Sequence, residues 1–306
     1  MQNRLSRFTA LIEFDPDLII EDELNHLSLF LINNKLKIKL NVPILSIVHH
    51  LRSDEKINSL VKFITRRIEV LFLKTCDAFI FNSRNTLDRV STLLKNDFLN
   101  YRIIYPGKDN LPLLDRENKN GPVQFLFAGN IIPRKNLDMV INVLEKLSDM
   151  NWQFNICGSE FADASYARKI RKRAQNLERM KKIFFRGRVT NECLSEFMAA
   201  SDMLLAPSDF EGFGITYLEA MRAGVIPVAS TEGGTREIIK NGVNGFLISS
   251  NNGQELEELL KMILNNSEII KKMRPELKKS SDSFDTWEVS MNNAVNFIEE
   301  LLSLYA

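Results

Sequence analysis

The chain of 306 residues is 44% hydrophobic and 26% charged, which is typical of a soluble globular protein with room for two ordinary domains. Because 40 Lys and Arg residues balance 39 Asp and Glu residues, no overall charge recruits nucleic acid, and we expect no partner of that class. Any such affinity would have to come from local patches of charge.

Cysteine content and hydropathy both indicate a cytoplasmic protein. Cys76, Cys157 and Cys193 are isolated, without metal-ligand spacing, so we expect reduced packing residues and no bound metal. The N-terminus lacks a signal-peptide pattern, and no apolar run approaches the roughly 20 residues that span a bilayer. We therefore expect a cytoplasmic location, or at most a peripheral one on the inner face of a membrane.

The first part of the chain alternates apolar runs with helical patterns. Apolar runs predict strands at 15–21, 42–48, 76–83 and 101–105. Asp15 and Asp17 could hold a divalent cation, but they precede their strand, and ligand groups in open α/β sheets follow strands, so a turn is the preferred interpretation. His49 follows the second strand, where it is placed for chemistry; a histidine satisfied by local backbone is the alternative.

A helix is predicted at 56–75 with cations at its polar positions: Lys56, Lys62, Arg66, Arg67 and Lys74. Together with the basic segment 35–39, it could form an amphipathic surface for anionic lipid, which would be a peripheral membrane contact. The commoner meaning of such a pattern is the solvated face of a helix packed on a core.

The second part of the chain repeats the alternation with better definition. Pro106-Gly107 and the polar run to Pro122 indicate a linker. Strands are predicted at 123–128, 152–157, 182–185, 202–206, 225–229 and 245–248, with helices between them. This spacing predicts a doubly wound parallel sheet, and the tail 253–306 has a helical pattern with a break near Pro275.

Two loops after strands of this second sheet carry groups suited to an anion. Arg134 and Lys135 follow the strand at 123–128, where they could donate to a diphosphate, although adjacent cations in a loop are usually just solvated. Gly212-Phe-Gly214 follows another strand and precedes a helix, so it offers backbone N–H groups.

Glu211 and Glu219 lie on either side of this glycine turn, eight residues apart. An acid/base couple is one interpretation. With phosphate donors between them, the two carboxylates are better suited to accept hydrogen bonds from sugar or ribose hydroxyls. The alternative without function is an acid that complements the helix dipole at Glu211 and an exposed helix acid at Glu219.

One stretch carries most of a family resemblance: Glu211-Gly-Phe-Gly-Ile-Thr-Tyr-Leu-Glu219, followed by Ala-Met-Arg-Ala-Gly-Val-Ile-Pro-Val. It resembles the Glu-x7-Glu motif of retaining GT-B glycosyltransferases and is most similar to glycosyltransferase family 4. The surrounding segments Phe185-Arg-Gly187, 200–208, Glu232-Gly-Gly234 and 237–247 agree with this. The similarity runs from about 15 to 250. It implies an α/β protein of GT-B architecture, with two Rossmann-like doubly wound parallel-sheet domains.

The resemblance also implies domain bounds. A partial N-terminal, acceptor-side domain would cover 1–107, a nucleotide-sugar-binding domain 108–284, and a C-terminal helix at 285–306 would pack back toward the first domain. The first domain would be incomplete, because family members open with a Gly-rich loop and no such loop precedes Asp15.

Carried over residue by residue, the resemblance implies a site for a nucleotide diphosphate-sugar donor. Lys135 matches the lysine on the donor diphosphate, and Arg134 would replace the charge of an arginine that is here Asn130. Glu219 matches the glutamate on the ribose hydroxyls. Val189 lies where backbone groups meet the base.

The remaining implied residues surround the donor sugar. Glu211 corresponds to the glutamate beside that sugar, and His49 to a histidine that faces it; both are the implied catalytic residues. The backbone near the sugar and phosphates would be that of Gly212, Phe213, Gly214 and Ile215. Such enzymes need no bound metal and no cofactor.

The implied function is transfer of a hexose or similar sugar, with retention of configuration, to a hydroxyl of a glycan, a lipid-linked or a small-molecule acceptor. The absent front of the first domain leaves a rival: a partner-dependent or inactive nucleotide-sugar-binding subunit or fragment, with a partner chain supplying the missing half-domain. A sugar-nucleotide epimerase of the same fold is less expected, since those enzymes lack the Glu-x7-Glu context.

Overall fold

The computed structural model describes residues 13–95, 100–116 and 121–305, apart from the side chains of 25–28. The chain divides into two compact units. One comprises the residues up to Pro106 together with the segment from Glu288, and the other comprises Gly107–Trp287. The expected absence of a Gly-rich loop before Asp15 concerns residues 1–12, which lie outside the described residues, as do 117–120 of the predicted linker.

The first unit is built on a parallel sheet of four strands in the order β1-β2-β3-β4, which confirms the four strands predicted there. The strands are β1 Ile19–Asp22, β2 Ile44–Val48, β3 Ala78–Phe81 and β4 Tyr101–Ile103. Three helices alternate with them: α1 His26–Leu40, α2 Ser59–Leu73 and α3 Arg84–Leu94. Every residue of β3 is buried, as expected for an inner strand covered on both faces.

Each face of this sheet carries its own apolar cluster. On one face, Phe79 and Phe81 pack with Phe72 of α2 and Val90 of α3. On the other face, residues of β2 and β3 pack against the last helix, α11 Trp287–Tyr305. That helix contributes Phe297 and Leu301, which are 5% and 1% exposed. The last helix of the chain is therefore part of the core of the first unit.

Helix α2 lies with part of its apolar surface toward solvent, which corrects the simple amphipathic expectation. Its buried residues include Thr65 and Glu69, whereas Leu60, Phe63 and Ile64 are exposed. The Oε1 atom of Glu69 accepts the N–H of Ser53 at 3.0 Å. Glu69 lies on the same side of the helix as Phe72 and Leu73, which are buried in the core. This side therefore faces inward, and the opposite side, which is also apolar, faces outward.

The second unit is built on a parallel sheet of six strands in the order β10-β9-β8-β5-β6-β7. The strands are β5 Val123–Ala128, β6 Trp152–Cys157, β7 Ile183–Gly187, β8 Met203–Leu205, β9 Ile226–Ser230 and β10 Phe246–Ile248. The helices are α4 Leu137–Lys146, α5 Ala164–Arg179, α6 Asn191–Ala200, α7 Ile215–Arg222, α8 Thr235–Ile238, α9 Gly253–Asn265 and α10 Glu268–Asp282. The doubly wound sheet is confirmed. Because the strand order reverses between β5 and β8, a ligand crevice is expected at their carboxyl ends.

The predicted helix break near Pro275 is wrong, because Pro275 lies inside α10. An interior proline removes one backbone hydrogen bond and costs about 3 kcal/mol. The helix buries Ile270, Met273 and Leu277 on one side, and each buried apolar side chain of this size contributes about 1.5–3 kcal/mol. Packing therefore outweighs the local preference of proline. The helical tail breaks instead between Asn265 and Glu268, and again between Asp282 and Trp287.

The packing of α11 yields a stability prediction. Replacing Phe297 by Ala should lower the free energy of unfolding of the first unit by about 3–5 kcal/mol, because a large cavity would remain beside Leu45 and Ile80. Urea unfolding followed by circular dichroism measures the change. Phe161, which is 93% exposed, is the control: Phe161→Ala should change the value by less than about 0.5 kcal/mol. A loss below about 1 kcal/mol for Phe297→Ala would contradict the assignment of this helix to the core.

Candidate functional site

A cavity of about 490 Å³ lies at the carboxyl ends of strands β5, β6 and β7. Its walls come from the segments that follow these strands and from helices α6 and α7: Ala128, Gly129, Asn130, Cys157, Gly158, Ser159, Ala162, Arg188, Val189, Leu194, Thr216 and Glu219. Two of the residues singled out from the sequence, Val189 and Glu219, are among them. The cavity thus lies at the sheet edge where open α/β folds bind ligands.

The Glu211 carboxylate is surrounded by side-chain hydrogen-bond donors. The Lys135 ammonium pairs with its Oε1 atom, which also accepts the Ser208 hydroxyl at 2.7 Å. A guanidinium nitrogen of Arg134 lies 3.4 Å from Oε2 and donates to the backbone carbonyl of Phe210 at 2.6 Å. The structure therefore brings together three predicted residues, Arg134, Lys135 and Glu211, and ties the loop after β5 to the loop after β8.

The charge state of Glu211 follows from two opposed effects. Its side chain is only 12% exposed, and burial by itself raises the pKa of a carboxylic acid. The nearby cations Lys135 and Arg134 and the hydrogen bonds from Lys135 and Ser208 outweigh burial, and lower the pKa of Glu211 to about 2. At neutral pH the group is therefore an ionised carboxylate whose charge is already neutralised by protein cations.

Lys135 lies beside Gly129, which lines the cavity. Gly129 has a φ of 148°, which L side chains rarely adopt, whereas a Cβ built on it would make only ordinary contact with Lys135 Cε at 3.6 Å. A Cβ on Gly158 would lie 1.7 Å from the Gly129 carbonyl oxygen. Gly129 is therefore required by its backbone conformation, and Gly158 by the close approach of the loop after β5 to the end of β6.

A second glycine pair, Gly233 and Gly234, contacts the segment that contains the Gly212–Gly214 turn. The sequence alone assigned this pair no role in the site. Gly234 donates its N–H to the Glu211 carbonyl at 2.9 Å. A Cβ on Gly233 would lie 1.9 Å from that same oxygen, and one on Gly234 would lie 2.3 Å from the Gly212 carbonyl oxygen. The two loops therefore touch backbone to backbone, which side chains would prevent.

Helix α7 begins at Ile215, directly after Gly214, whose backbone is left-handed with a φ of 103°. Its first N–H groups have no partner within the helix and can bind an anion. Phe213 takes a different part: its side chain is 2% exposed, and its ring lies 6.2 Å from that of Phe284. At this position the buried side chain leaves only the backbone for a ligand.

Glu219 lies one turn further along α7, on the cavity wall. It is 8% exposed, and it accepts a hydrogen bond from the Asn110 amide at 2.9 Å. Burial raises the pKa of Glu219, and the Asn110 hydrogen bond offsets this in part. The cavity therefore presents a nearly buried carboxylate with acceptor capacity left for a ligand hydroxyl.

His49 lies in the first unit, at the end of β2. Its backbone N–H donates to Glu23 at 3.0 Å, and its ring Nε2 lies 3.5 Å from Asp22. Burial raises the pKa of Glu23 to about 7, against the lowering effect of the His49 hydrogen bond. The backbone of His49 is thus held by a local hydrogen bond, whereas its side chain is 46% exposed. The structure therefore leaves both interpretations of His49 open.

Within the described part of the chain, one group of three residues of metal-binding types has its donor atoms within 4.8 Å of one another: Asp22, Glu23 and His49. Glu23 accepts backbone N–H groups from both His49 and His50, at 3.0 and 3.5 Å. The carboxylate oxygens of Glu23 therefore stabilise the turn after β2, which is a structural role.

Several site contacts have no signal in the sequence. Ser208 and Asn110, which bond to the two glutamates, are polar residues in loops and match no pattern. Arg188 and Thr216 face the cavity, and only their positions after a strand and on the first turn of a helix could have suggested them. Their roles depend on contacts between segments that are distant in sequence.

The three cysteines lie as free thiols, as expected for packing residues. Burial raises the pKa of both Cys76 and Cys157 to about 12, so these two thiols are unreactive at neutral pH. Across the described residues, every helix is too short or too polar to traverse a lipid bilayer.

The Glu211 ion pairs yield a pH prediction. Because the folded-state pKa of about 2 lies below the unfolded value, the pairs stabilise the fold above about pH 4.5, and this stabilisation is lost as the pH falls toward 2. Between pH 5 and pH 3 the wild type should lose about 2 kcal/mol more unfolding free energy than Glu211→Gln, which has no group to titrate. Parallel pH dependences of the two proteins in urea titrations would contradict the low pKa.

Comparison with known proteins identifies relatives of this chain. It is 28% identical to an uncharacterized glycosyltransferase of Methanocaldococcus jannaschii over 74% of this chain and 60% of the relative. It is also 28% identical to a glycogen synthase of Clostridium botulinum, over 72% of this chain and 46% of that enzyme. The chain thus spans about half to three fifths of the length of these curated relatives.

Solved structures show the same fold. A sucrose-phosphate synthase from Thermosynechococcus elongatus superposes with a TM-score of 0.81 at 19% identity, covering 94% of this chain and 74% of that one. HepE from Anabaena, in complex with UDP and glucose, superposes with a TM-score of 0.77 at 17% identity, covering 95% and 80%. The fold is therefore GT-B, with two parallel-sheet α/β domains. The family described as glycosyl transferases group 1 matches residues 114–280, more than half of the chain, and the chain belongs to this family.

Proposed function

We propose that this chain transfers a hexose or similar sugar from a nucleotide diphosphate-sugar to a hydroxyl acceptor, with retention of configuration, as a member of glycosyltransferase family 4. The observation that carries the proposal is the pairing of Lys135 and Arg134 on Glu211 beside a cavity whose far wall holds Glu219. Cations at one end and a carboxylate at the other match the two ends of a nucleotide diphosphate: phosphates and ribose.

The diphosphate would exchange partners with Glu211. In the unliganded chain, Lys135 and Arg134 neutralise that carboxylate. A diphosphate brings more negative charge and more acceptor oxygens, so it competes for the same donors. We propose that both cations turn toward the phosphates, assisted by the backbone of Gly212, Phe213, Gly214 and Ile215, while Glu211 accepts a hydroxyl of the donor sugar.

The nucleoside would occupy the cavity of about 490 Å³. Glu219, whose pKa is raised by burial, would accept hydrogen bonds from the ribose hydroxyls through its carboxyl oxygens. The backbone of Val189, at the end of β7, would meet the base. The UDP and glucose bound to the HepE neighbour support this class of donor, although the base and sugar of this chain's donor stay unassigned.

The chemistry would depend on stabilising the leaving group. As the glycosidic bond breaks, negative charge grows on the departing diphosphate, and Lys135, Arg134 and the first N–H groups of α7 are placed to neutralise it. The departing phosphate would assist deprotonation of the acceptor hydroxyl on the same face of the sugar, and His49 with Glu211 would position the sugar. We propose that no bound metal and no cofactor takes part, since protein cations supply the charge.

The acceptor would be a glycan, a lipid-linked or a small-molecule hydroxyl, and the reaction would take place in the cytoplasm. The second candidate function is a nucleotide-sugar-binding subunit that needs a partner chain.

One experiment separates the two functions. Calorimetry of the purified chain with UDP, GDP and ADP measures donor-site binding, and hydrolysis of the corresponding glucose conjugates measures turnover. Binding with turnover supports the transferase, whereas binding without turnover supports the subunit. Absence of both for all three nucleotides would contradict the proposed donor site.

The ion pair at the donor site predicts a large binding effect. Lys135→Ala and Glu211→Ala should each weaken nucleoside-diphosphate binding or sugar transfer, by about 10- to 100-fold for Lys135→Ala, because a charge-assisted hydrogen bond is lost. The matched control is the Lys146–Glu257 pair, which lies at 2.7 Å on the surface. Lys146→Ala and Glu257→Ala should leave binding and turnover unchanged. Unchanged affinity and turnover in both site variants would overturn the assignment.

The role of Glu219 predicts a ligand-dependent effect. Glu219→Ala should weaken binding of the preferred nucleoside diphosphate about tenfold, since a ribose hydroxyl loses its carboxyl acceptor. The same substitution should have a smaller effect on the 2′-deoxy analogue, which lacks one hydroxyl. Asn110→Ala, which removes the contact that Glu219 makes within the protein, is the control. Equal losses for ribose and deoxyribose ligands would show that Glu219 acts only on the fold.

A further inference from the structure

Helix α2 carries an exposed apolar stripe. Leu60, Ile64 and Leu71 are 67%, 49% and 51% exposed, and they recur at helical spacing on one side. Phe63, 59% exposed, widens the stripe. The opposite side is buried through Thr65, Glu69, Phe72 and Leu73. A helix that buries one side and also exposes a stripe of large apolar residues is unusual for a solvated surface, so the stripe calls for a covering partner.

The charges along this stripe have one sign. The only acidic residue in α2 is Glu69, which is 2% exposed and accepts the N–H of Ser53. The exposed charged residues of the helix are Lys62, Arg66 and Arg67. The Arg67 guanidinium lies 5.0 Å from the centroid of the Phe63 ring. Cations therefore flank the apolar stripe directly, with no exposed carboxylate in the helix to neutralise them.

The neighbouring helix α1, which packs against α2, repeats the arrangement. Leu31 and Ile38 are 67% and 84% exposed, and the exposed cations Lys35 and Lys39 lie between and beside them. Helix α1 contains no acidic residue. Both helices thus combine exposed apolar side chains with an excess of positive charge, although the whole chain has a net charge of only +1. Carboxylates from outside the helices offset part of this charge: Asp77 pairs with Lys37, and Asp54 interacts with Lys62 and Arg66.

We propose that the α1–α2 surface, defined by the exposed residues of these two helices, docks on an anionic lipid membrane. Apolar side chains enter the acyl boundary while Lys and Arg bind anionic headgroups, which is the pattern of interfacial helices. An exposed apolar stripe would not contribute to nucleic-acid binding, which argues against that partner. The cores of protein interfaces are depleted of lysine, which argues against a protein partner. The donor-site residues of the second unit take no part, so this inference is independent of the proposed function.

Vesicle sedimentation tests the proposal with the full chain. At low salt the wild type should bind vesicles of phosphatidylglycerol and phosphatidylcholine, bind pure phosphatidylcholine far less, and lose binding at high salt. Arg66→Gln with Arg67→Gln should weaken binding about fivefold for each charge. Leu60→Ser with Ile64→Ser should weaken it about tenfold or more. Because all four side chains are exposed, circular dichroism should show unchanged folding.

Matched controls lie in the second unit. Lys271→Gln with Lys272→Gln removes an adjacent pair of exposed cations, and Phe161→Ser removes an exposed apolar side chain; neither should alter binding. The proposal is overturned if the wild type fails to bind anionic vesicles, or if the controls weaken binding as much as the α2 variants. It is also overturned if light scattering shows a dimer that the α2 variants dissociate, since a second copy would then cover the surface.

Discussion

The second unit depends on a carboxylate that stays ionised although it is nearly buried. Burial alone would favour a neutral Glu211, and its charge is stabilised chiefly by Lys135 and Arg134, with a further hydrogen bond from Ser208. Those cations come from the segment after β5, and Glu211 from the segment after β8. The attraction therefore joins the two strands at which the sheet reverses its order, and it fixes the mouth of the crevice before any ligand arrives.

This arrangement suits a site in which Lys135 and Arg134 exchange the Glu211 carboxylate for an anionic ligand and pair with the carboxylate again when the ligand leaves. Removing one member of a buried ion pair is costly, but replacing one anion by another at the same cations largely avoids that cost. A ligand that supplies phosphate oxygens to Lys135 and Arg134 leaves Glu211 close enough to accept a neutral hydroxyl. With such a ligand the cations would stay neutralised in both states, and the affinity would depend on the difference in free energy between the two sets of ion pairs.

Much of this architecture could be predicted from local sequence. Strands such as β5 and β6, buried on both faces, appear as continuous apolar runs, and their predicted bounds agree with the structure. The orientation of α2 could not be predicted, because it depends on non-local contacts: the hydrogen bond between Glu69 and Ser53 and the packing of Phe72 in the core. The path of α10 through Pro275 likewise depends on buried neighbours distant in sequence. At the site, the charged residues matched motifs, whereas Ser208 and Asn110 act through non-local contacts.

The glycine pair at 233–234 has a mechanical consequence. With no side chains between them, the two loops have no compressible layer, and the Gly234 N–H is bonded to the Glu211 carbonyl. A shift of the Glu211 backbone therefore moves the 232–234 segment with it, since interiors packed backbone to backbone transmit displacement. Such a backbone shift would reach the start of α8, whereas a rotation of the Glu211 side chain alone would not.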